Sequence, residues 1–291
     1  MIDFTTAYEE FNNYKGSEAK KTLIYNDIKY LVKFPDPIRE KNKNISYINN
    51  VFSEYIGSNI FKICGFNTQN TILGEYKIND KTKIVCACED FTDNNHNLYD
   101  FENLAISVNT DKKIDTELSD IMDILDSSKN IIDVNNTKQL FWDMFIIDSI
   151  IGNTDRHNGN WGFLINKNTK TANFSPIYDC GSSLNPMLED EEIESIDNTV
   201  LKNLAINCYS CLKEKGKKIN YMSYISEMTN KDCNDALIRV FNKINLDEIN
   251  DFIDGIKCIN DKRKEFYKDI IKIRYDIVKK VYVKLKKEEF K

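Results

Sequence analysis

The feature that most constrains the fold is a helix expected over residues 137–152. Its apolar side chains extend around most of the circumference, and Asp143 and Asp148 are the exceptions. A helix that is apolar on all sides has to be buried on all sides. The chain must therefore build a body large enough to enclose this helix. Its 291 residues suffice for one large domain or for two lobes around a cleft.

The composition argues against several classes of protein. The chain carries a formal net charge of -6 and a pI near 5.2, which is unusual for a protein that coats nucleic acid. Its first residues lack the basic and apolar regions of a signal peptide, and no apolar run approaches the length of a membrane span. The eight cysteines are scattered without zinc-finger spacing. We expect a soluble, cytoplasmic protein without direct nucleic-acid or membrane binding, and the sequence leaves export open.

A polar loop follows the buried helix directly. Residues 152–162 read Gly-Asn-Thr-Asp-Arg-His-Asn-Gly-Asn-Trp-Gly and include Asp155, His157 and Asn160, which a packed core would not select. The apolar residues 161–165 that follow are typical of a strand. The three polar side chains are therefore expected at a helix-to-strand connection, where binding and catalytic groups are commonly found.

The next predicted hairpin segment leads to a second acidic residue. Residues 174–178 end at Asp179, which directly precedes Cys180 and Gly181. An Asp with an Asn five positions later, a short β-ribbon and a second Asp is the arrangement that Mg-dependent phosphoryl transfer requires. One carboxylate orients the incoming hydroxyl, while the amide oxygen and the second carboxylate hold Mg²⁺ against the nucleotide phosphates. Protein kinases space these residues in the same way.

The N-terminal segment predicts a hairpin that carries a lysine. The turn residues Asn26 and Asp27 separate two β-prone runs, residues 22–25 and 28–34. Lys33 lies on the second of these strands. Taken alone, it would be a solvated lysine on an exposed strand face, whereas in a kinase it would contact the nucleotide phosphates.

A helix and two more strands complete the first ninety residues. Apolar residues recur at helical spacing over residues 48–63, and residues 71–76 and 83–88 are β-prone. The second strand runs into Glu89, Asp90 and Phe91, where we expect a hinge to the next lobe. We therefore divide the chain into a small β-rich lobe, residues 1–90, and a larger lobe, residues 91–291.

The larger lobe is expected to be mainly helical. Residues 91–132 are polar and indicate short helices without clear boundaries, and the acidic residues 189–197 indicate a solvated loop. Amphipathic helices are predicted for most of the remainder, including a long terminal helix through residues 270–285.

Several candidate residues also have a plain structural interpretation. Asp155 could cap a turn, and His157 could be a loop imidazole that hydrogen-bonds to backbone. Glu54 on the predicted helix could pair with Lys33 or face solvent, and the sequence does not decide between these. The turn that contains Ser17, just before the first hairpin, is only a weak match to a phosphate-binding loop. The joint occurrence of the two acidic motifs and the lysine favours the functional interpretation.

Taken together, these residues resemble the HipA-like serine/threonine kinases of bacteria, and in particular the compact members of that family. The resemblance spans most of the chain, and the two blocks around the acidic motifs are highly specific. It rests on residues 16–21, 30–35, 53–56, 86–91, 151–162 and 176–184.

The resemblance implies a role for each matching residue. Asp155 is similar to the general base or hydroxyl-orienting residue of the family. Asn160 and Asp179 are similar to the Mg²⁺ ligands. The positions that resemble nucleotide contacts are Lys33 for the phosphates, Glu89, Asp90 and Phe91 as a hinge that holds adenine through backbone, and His157 and Tyr178 along the nucleotide site. Ser17 corresponds to a serine that some members autophosphorylate.

These observations predict an α+β, two-lobed, protein-kinase-like fold with ATP and Mg²⁺ in the cleft. The expected reaction transfers a phosphoryl group to a serine or threonine hydroxyl of a protein, with autophosphorylation. Two alternatives remain open, namely a small-molecule phosphotransferase on the same scaffold and a non-catalytic nucleotide-binding module of a toxin and antitoxin complex. Full-length HipA toxins have an additional N-terminal subdomain and a DNA-binding antitoxin partner. This chain begins too close to its nucleotide lobe for that subdomain, which argues against an antitoxin partner.

Overall fold

The N-terminal part of the chain forms one curved sheet with a helix packed on it. The computed structural model describes residues 1–11, 19–36, 48–108 and 115–289. Up to residue 89, the elements are β1 (Ile2–Asp3), β2 (Tyr8–Glu10), β3 (Lys20–Tyr25), β4 (Ile28–Lys33), α1 (Asn50–Ile63), β5 (Thr71–Ile78) and β6 (Lys81–Glu89). The strand order is β1-β5-β6-β4-β3-β2. Only the β1–β5 pair is parallel among these described strands.

Two tight turns explain the register of this sheet. Asn26 and Asp27 join β3 to β4 with φ of 49° and 62°, and Asn79 and Asp80 join β5 to β6 with φ of 47° and 62°. Positive φ at both central residues is the type I′ geometry that matches the twist of a two-residue hairpin, and Asn and Asp tolerate it. The hairpin predicted at Asn26 and Asp27 is confirmed, and the two strands predicted over residues 71–76 and 83–88 pair as a second hairpin.

The alternation of side chains along β4 decides on which face of the sheet Lys33 lies. Tyr30 and Val32 point into a small cluster on one face of the sheet. Because strand side chains alternate, Leu31 and Lys33 point to the other face, where α1 packs. Lys33 pairs in register with Cys86 of β6, so the lysine lies under the helix and not in solvent.

The C-terminal part is mainly helical, as expected. Its elements are β7 (His96–Asp100), α2 (Phe101–Val108), α3 (Leu118–Ser127), α4 (Val134–Ile151), β8 (Gly162–Asn166), β9 (Ala172–Phe174), α5 (Asp190–Glu194), α6 (Asn198–Ile206), β10 (Tyr209–Glu214), β11 (Lys217–Asn220), α7 (Tyr221–Glu227), α8 (Lys231–Val240), a short 3-10 turn (Phe241–Lys243), α9 (Leu246–Asp254) and α10 (Asp261–Glu289). In the described part of the chain, no helix is both long enough and apolar enough to cross a membrane.

Helix α4 is the central buried helix that the sequence predicted. The residues from Phe141 to Ile151 are all buried, and the helix contacts α1, α3, α8 and α10. The Asp133 side chain caps its N-terminus by accepting from the Asn136 backbone N–H. Gly152 ends it in the left-handed conformation with φ of 67°. The helix therefore stops at the start of the polar loop.

A second sheet, β7-β8-β9, differs from the sequence prediction in two ways. Residues 96–100 were expected in a region of short helices, yet they form β7 because β8 offers them a pairing edge. The expected hairpin segment over residues 174–178 is shorter, since β9 ends at Phe174. The Ser175 backbone N–H still donates to the Gly162 carbonyl of β8, at 2.9 Å. The pairing does not continue to Pro176, because proline has no backbone N–H to donate.

The prediction of a solvated loop over residues 189–197 is wrong. This segment contains α5, and a capping box between Glu189 and Glu192 stabilises the start of that helix. Acidic residues in the first turn interact favourably with the partial positive charge of a helix N-terminus, so the same charges that indicated a loop stabilise a short helix. The hairpin of β10 and β11 was also not predicted.

Candidate active site

Lys33, Glu54 and Asp179 meet at the junction of three segments. Lys33 Nζ lies 2.7 Å from Glu54 Oε2 and 2.7 Å from Asp179 Oδ1. The other oxygen of Glu54 accepts from the Cys180 backbone N–H at 3.1 Å. Lys33 comes from β4, Glu54 from α1 and Asp179 from the segment after β9. Glu54 is completely buried, so the alternative in which it faces solvent is wrong.

The backbone turns sharply at Asp179. Its φ of 59° lies in the left-handed region, which Asp adopts more readily than most residues. This turn directs the carboxylate toward Lys33 and leaves the side chain 34% exposed. Burial raises the pKa of Asp179, but the charges of Lys33 and Arg156 outweigh it and hold that pKa below its ordinary value.

Arg156 organises the polar loop, and the sequence analysis missed it. Its Nε and second terminal nitrogen donate to the two oxygens of Asp148 at 2.8 and 3.0 Å. Its remaining nitrogen donates to the carbonyls of Asn160 at 2.7 Å, Tyr178 and Asp179. The guanidinium thus joins α4, the polar loop and the Asp179 segment. Asp148 was the available signal, because a carboxylate inside a buried helix needs a cation.

Asn153 fixes the beginning of the loop. Its side chain donates to Asp148 Oδ1 at 3.1 Å and accepts from the Asp155 backbone N–H at 3.1 Å. The Tyr221 hydroxyl donates to the Asn153 carbonyl at 2.7 Å. Just before it, Gly152 packs against the guanidinium of Arg274, which leaves no space for a Cβ atom. The loop is therefore held from α4, α7 and α10.

Asp155 and His157 lie side by side on this loop. The Asp155 side chain is 48% exposed, and its Oδ2 lies 3.9 Å from His157 Nε2. His157 Nδ1 accepts from the Gly159 backbone N–H at 2.9 Å. In a neutral imidazole the proton is then on Nε2, which faces the Asp155 carboxylate. Asn160 Nδ2 donates to the Asp155 carbonyl at 2.7 Å, which leaves its Oδ1 atom for another partner.

A cavity of about 760 Å³ opens beside these residues. Its lining includes Lys33, Asn160 and Asp179, and also the rings of Phe91 and Tyr178, whose centroids are 5.9 Å apart. The Tyr178 hydroxyl donates to the Gly159 carbonyl at 3.3 Å. Burial and the charges of Asp100 and Asp179 raise the pKa of Tyr178, so this hydroxyl remains a donor. The lining thus combines charged and aromatic side chains.

The predicted site residues occupy different positions around the cavity. Asp90 lines it together with the residues named above, and so does Asp100, which the sequence analysis missed. Burial raises the pKa of Asp100. Glu89 is not part of the lining, and its carbonyl accepts from the Gln69 side chain at 2.9 Å. Asp155 and His157 lie outside the lining but adjoin Asn160. Ser17 lies outside the residues that the structure describes.

The fold is protein-kinase-like. It combines a curved sheet that carries one helix with a mainly helical second part. A buried lysine–glutamate pair and a loop with Asp155 and Asn160 lie between them. The chain belongs to the HipA-like C-terminal domain family, whose model matches residues 15–241. The predicted resemblance to HipA-like serine/threonine kinases is confirmed, and with it the expectation of an enzyme of the kinase class.

Relatives and solved structures agree with this assignment. The chain is 39% identical over 277 residues to the serine/threonine-protein kinase CtkA of Helicobacter pylori (strain J99), with 91% of this chain and 82% of the relative covered. It resembles the crystal structure of a Helicobacter pylori proinflammatory kinase CtkA with a TM-score of 0.89 and 36% identity, covering 98% of both chains. The two-lobed α+β fold that the sequence predicted is confirmed.

A more distant structure shows the fold alone. HipA of Shewanella oneidensis MR-1, solved with HipB and operator DNA, matches with a TM-score of 0.59 at 14% identity. The match covers 92% of this chain and 65% of that one.

Proposed function

We propose that this protein is an ATP- and Mg²⁺-dependent serine/threonine protein kinase that also phosphorylates itself. The observation that carries the proposal is the position of Lys33 between the buried Glu54 and Asp179, in the lining of the cavity. A lysine–glutamate pair of this kind holds the cation against nucleotide phosphates in protein kinases. The name of the Helicobacter pylori relative, a serine/threonine-protein kinase, supports the same reaction.

The cavity suits a nucleotide. Its volume of about 760 Å³ falls in the range of about 300–1,000 Å³ that is typical of small-molecule sites. Lys33 contacts the phosphates as a fixed positive charge. The rings of Phe91 and Tyr178 provide apolar surface for the base, and the hinge at Asp90 and Phe91 adjoins it.

Asn160 and Asp179 fit a magnesium ion. Both offer hard oxygen atoms, and the bond from Asn160 Nδ2 to the Asp155 carbonyl turns the amide oxygen of Asn160 away from that carbonyl. Among the described residues, no group of three or more His, Cys, Asp or Glu side chains is arranged for a metal. Mg²⁺ does not need one, because one or two protein oxygens together with nucleotide phosphates and water complete its coordination. When bound, the ion neutralises phosphate charge.

Asp155 orients the acceptor hydroxyl and accepts its proton. Its carboxylate is half-exposed beside the cavity, where a serine or threonine side chain can reach it. The backbone bonds of Asn153 and Asn160 hold the residue in place, and the Nε2 side of His157 faces its second oxygen. General base catalysis of this kind contributes about 10²- to 10⁴-fold to a rate.

Two further expectations belong to this proposal. Ser17 is the autophosphorylated residue, since it precedes the hairpin that leads to Lys33 in the sequence. Residues 1–90 act as the lobe that covers the nucleotide, and residues 91–291 act as the lobe that carries the catalytic and metal-binding loops.

The test is phosphate incorporation from labelled ATP by the wild type, Asp155→Asn and Asp179→Asn. Both substitutions keep side-chain size, and Asn tolerates the left-handed backbone at position 179. We expect Mg-dependent label on the wild type, and a loss of about 100-fold or more in Asp155→Asn with an unchanged circular dichroism spectrum. Label on Asp155→Asn within tenfold of the wild type would refute the assigned role. Mapping the modified residue, with Ser17→Ala as the comparison, tests the autophosphorylation site.

A further inference from the structure

The hairpin of β10 and β11 lies directly against the proposed catalytic carboxylate. The Cys211 thiol, on β10, donates to the Thr154 carbonyl at 3.0 Å and to Asp155 Oδ1 at 3.4 Å. The hairpin therefore contacts one carboxylate oxygen of Asp155, and His157 approaches the other.

This hairpin is anchored, so its side chains have defined positions. The Cys211 carbonyl accepts from the Thr116 hydroxyl at 2.7 Å, and the Lys213 N–H donates to the Thr116 carbonyl at 2.8 Å. At the tip, the backbone N–H groups of Lys215 and Gly216 donate to the Glu117 carboxylate. An anchored hairpin can present a charge to a substrate without a large ordering cost.

An acceptor segment has to approach Asp155 from the hairpin side. The nucleotide fills the cavity that Lys33, Asn160 and Asp179 line, and Asp155 does not line that cavity. Its carboxylate instead faces outward beside Cys211. A protein segment whose hydroxyl reaches Asp155 therefore lies next to β10 and β11.

The charges on the hairpin are unevenly compensated. Lys213 and Lys218 face each other across the two strands, where like charges repel. Lys213 is neutralised by Asp115 Oδ2 at 2.6 Å. Lys218 is exposed and forms no ion pair with any residue in the described ranges. Cys211 and Lys213 lie two positions apart on β10, and strand side chains alternate between the two faces. Because Lys218 pairs with Lys213, its side chain lies on the face of the hairpin that also carries Cys211.

We propose that Lys218 is a specificity-determining residue that pairs with an acidic side chain of the protein substrate close to its acceptor serine or threonine. The proposal rests on the proposed kinase function and names the substrate class. Lys218 does not line the nucleotide cavity, so its partner belongs to the acceptor and not to ATP. Lys217 is the matched control. It is also exposed, but it lies opposite Glu214, a residue of opposite charge.

The experiment measures kcat/KM on a peptide array with one central serine or threonine. Each flanking position carries Glu, Gln or Lys in turn. We expect the wild type to prefer Glu over Gln about fivefold at one position, as a single exposed ion pair allows. Lys218→Gln removes this preference, Lys218→Glu reverses it toward Lys, and Lys217→Gln retains it. All three variants change exposed side chains, so the fold is preserved.

The outcomes separate this inference from the proposed function. A wild type that phosphorylates peptides without an acidic preference, or one whose preference survives in Lys218→Glu, overturns the inference and leaves the kinase function standing. A wild type that transfers phosphate neither to a peptide nor to itself overturns both.

Discussion

Lys33 and Glu54 form an ion pair that is almost completely enclosed by protein. Their charged atoms are 2.7 Å apart, and the side chains are 8% and 0% exposed. The pair joins the sheet of the N-terminal part to α1, and its second carboxylate oxygen holds the backbone of Cys180. The Glu54 carboxylate thus links Lys33 to the segment that carries Asp179.

Removing only the lysine of this pair is expected to destabilise the protein strongly. Lys33→Met leaves the Glu54 carboxylate buried without its cation, and such a loss costs about 3–5 kcal/mol. In Lys33→Met/Glu54→Leu both charges are gone, and we expect most of that loss to be recovered. Urea denaturation measures the free energy of unfolding, and both variants should lack kinase activity. A double variant no more stable than Lys33→Met would contradict this explanation.

Replacing Arg156 with lysine, which preserves the positive charge, is expected to destabilise the protein. Lys cannot reproduce the paired bonds from Arg156 to Asp148, so we expect Arg156→Lys to lower the free energy of unfolding by about 3 kcal/mol. The control is Arg239→Lys, because two nitrogens of Arg239 also donate to a helix aspartate, here to the single oxygen Oδ1 of Asp143, and the Arg239 side chain is 33% exposed. Its loss should stay below about 1 kcal/mol. Equal losses in the two variants would show that burial does not decide the effect.

Alanine substitutions at Gly152 and Gly216 distinguish the cost of an unfavourable backbone conformation from the cost of a steric clash. Both have positive φ, 67° and 76°. A Cβ at Gly152 would clash with Arg274, whereas one at Gly216 would meet no atom within 4 Å. We expect Gly216→Ala to cost about 1 kcal/mol from its backbone conformation alone. Gly152→Ala should cost at least about 2 kcal/mol more and should lower the rate of phosphate transfer. Thermal denaturation and initial rates provide both measurements, and equal melting temperatures would be inconsistent with the clash.

The Cys211 thiol reports on the charge of Asp155. Burial, followed by the Asp155 charge, raises the pKa of Cys211 from 9.0 to about 12. Only the thiolate is alkylated, so at pH 9 Cys211 should react with iodoacetamide far more slowly in the native protein than in urea. The unfolded thiol ionises at lower pH, so this raised pKa also makes the protein less stable as the pH rises from about 9 toward 12.

Asp155→Asn tests the cause of this shift. Removing the carboxylate charge should lower the pKa of Cys211 and speed its alkylation at pH 9. Peptide mass spectrometry follows Cys211 separately from Cys258, which lies elsewhere and serves as the internal reference. Unchanged alkylation of Cys211 in this variant would argue that burial alone raises its pKa.

Much of the candidate site could be predicted because its residues lie in contiguous segments. Asp155, His157 and Asn160 fall within six positions, and Asp179 follows a recognisable strand pattern. Spacing along the chain is itself the signal in such motifs. The same holds for the two type I′ turns, whose residues carry the required conformation in their own side-chain chemistry.

Other parts could not be predicted because their partners are distant. The sequence did not decide whether Glu54 faces solvent, and it did not single out Arg156. Their importance comes from Lys33 and Asp148, which belong to other elements. Strand β7 was missed for the same reason, since its pairing edge is provided by β8.

By itself, the sequence determined the local structure of this protein: where α4 ends at Gly152, where the hairpins turn, and which polar residues interrupt apolar segments. These features depend on residues within a few positions of one another. Only the tertiary structure decided that Lys33 meets Asp179, 146 positions away, and that the hairpin of β10 and β11 lies against Asp155. The physical reason is that packing on α1 and α4 sets these distances, and packing depends on side-chain shapes from the whole chain.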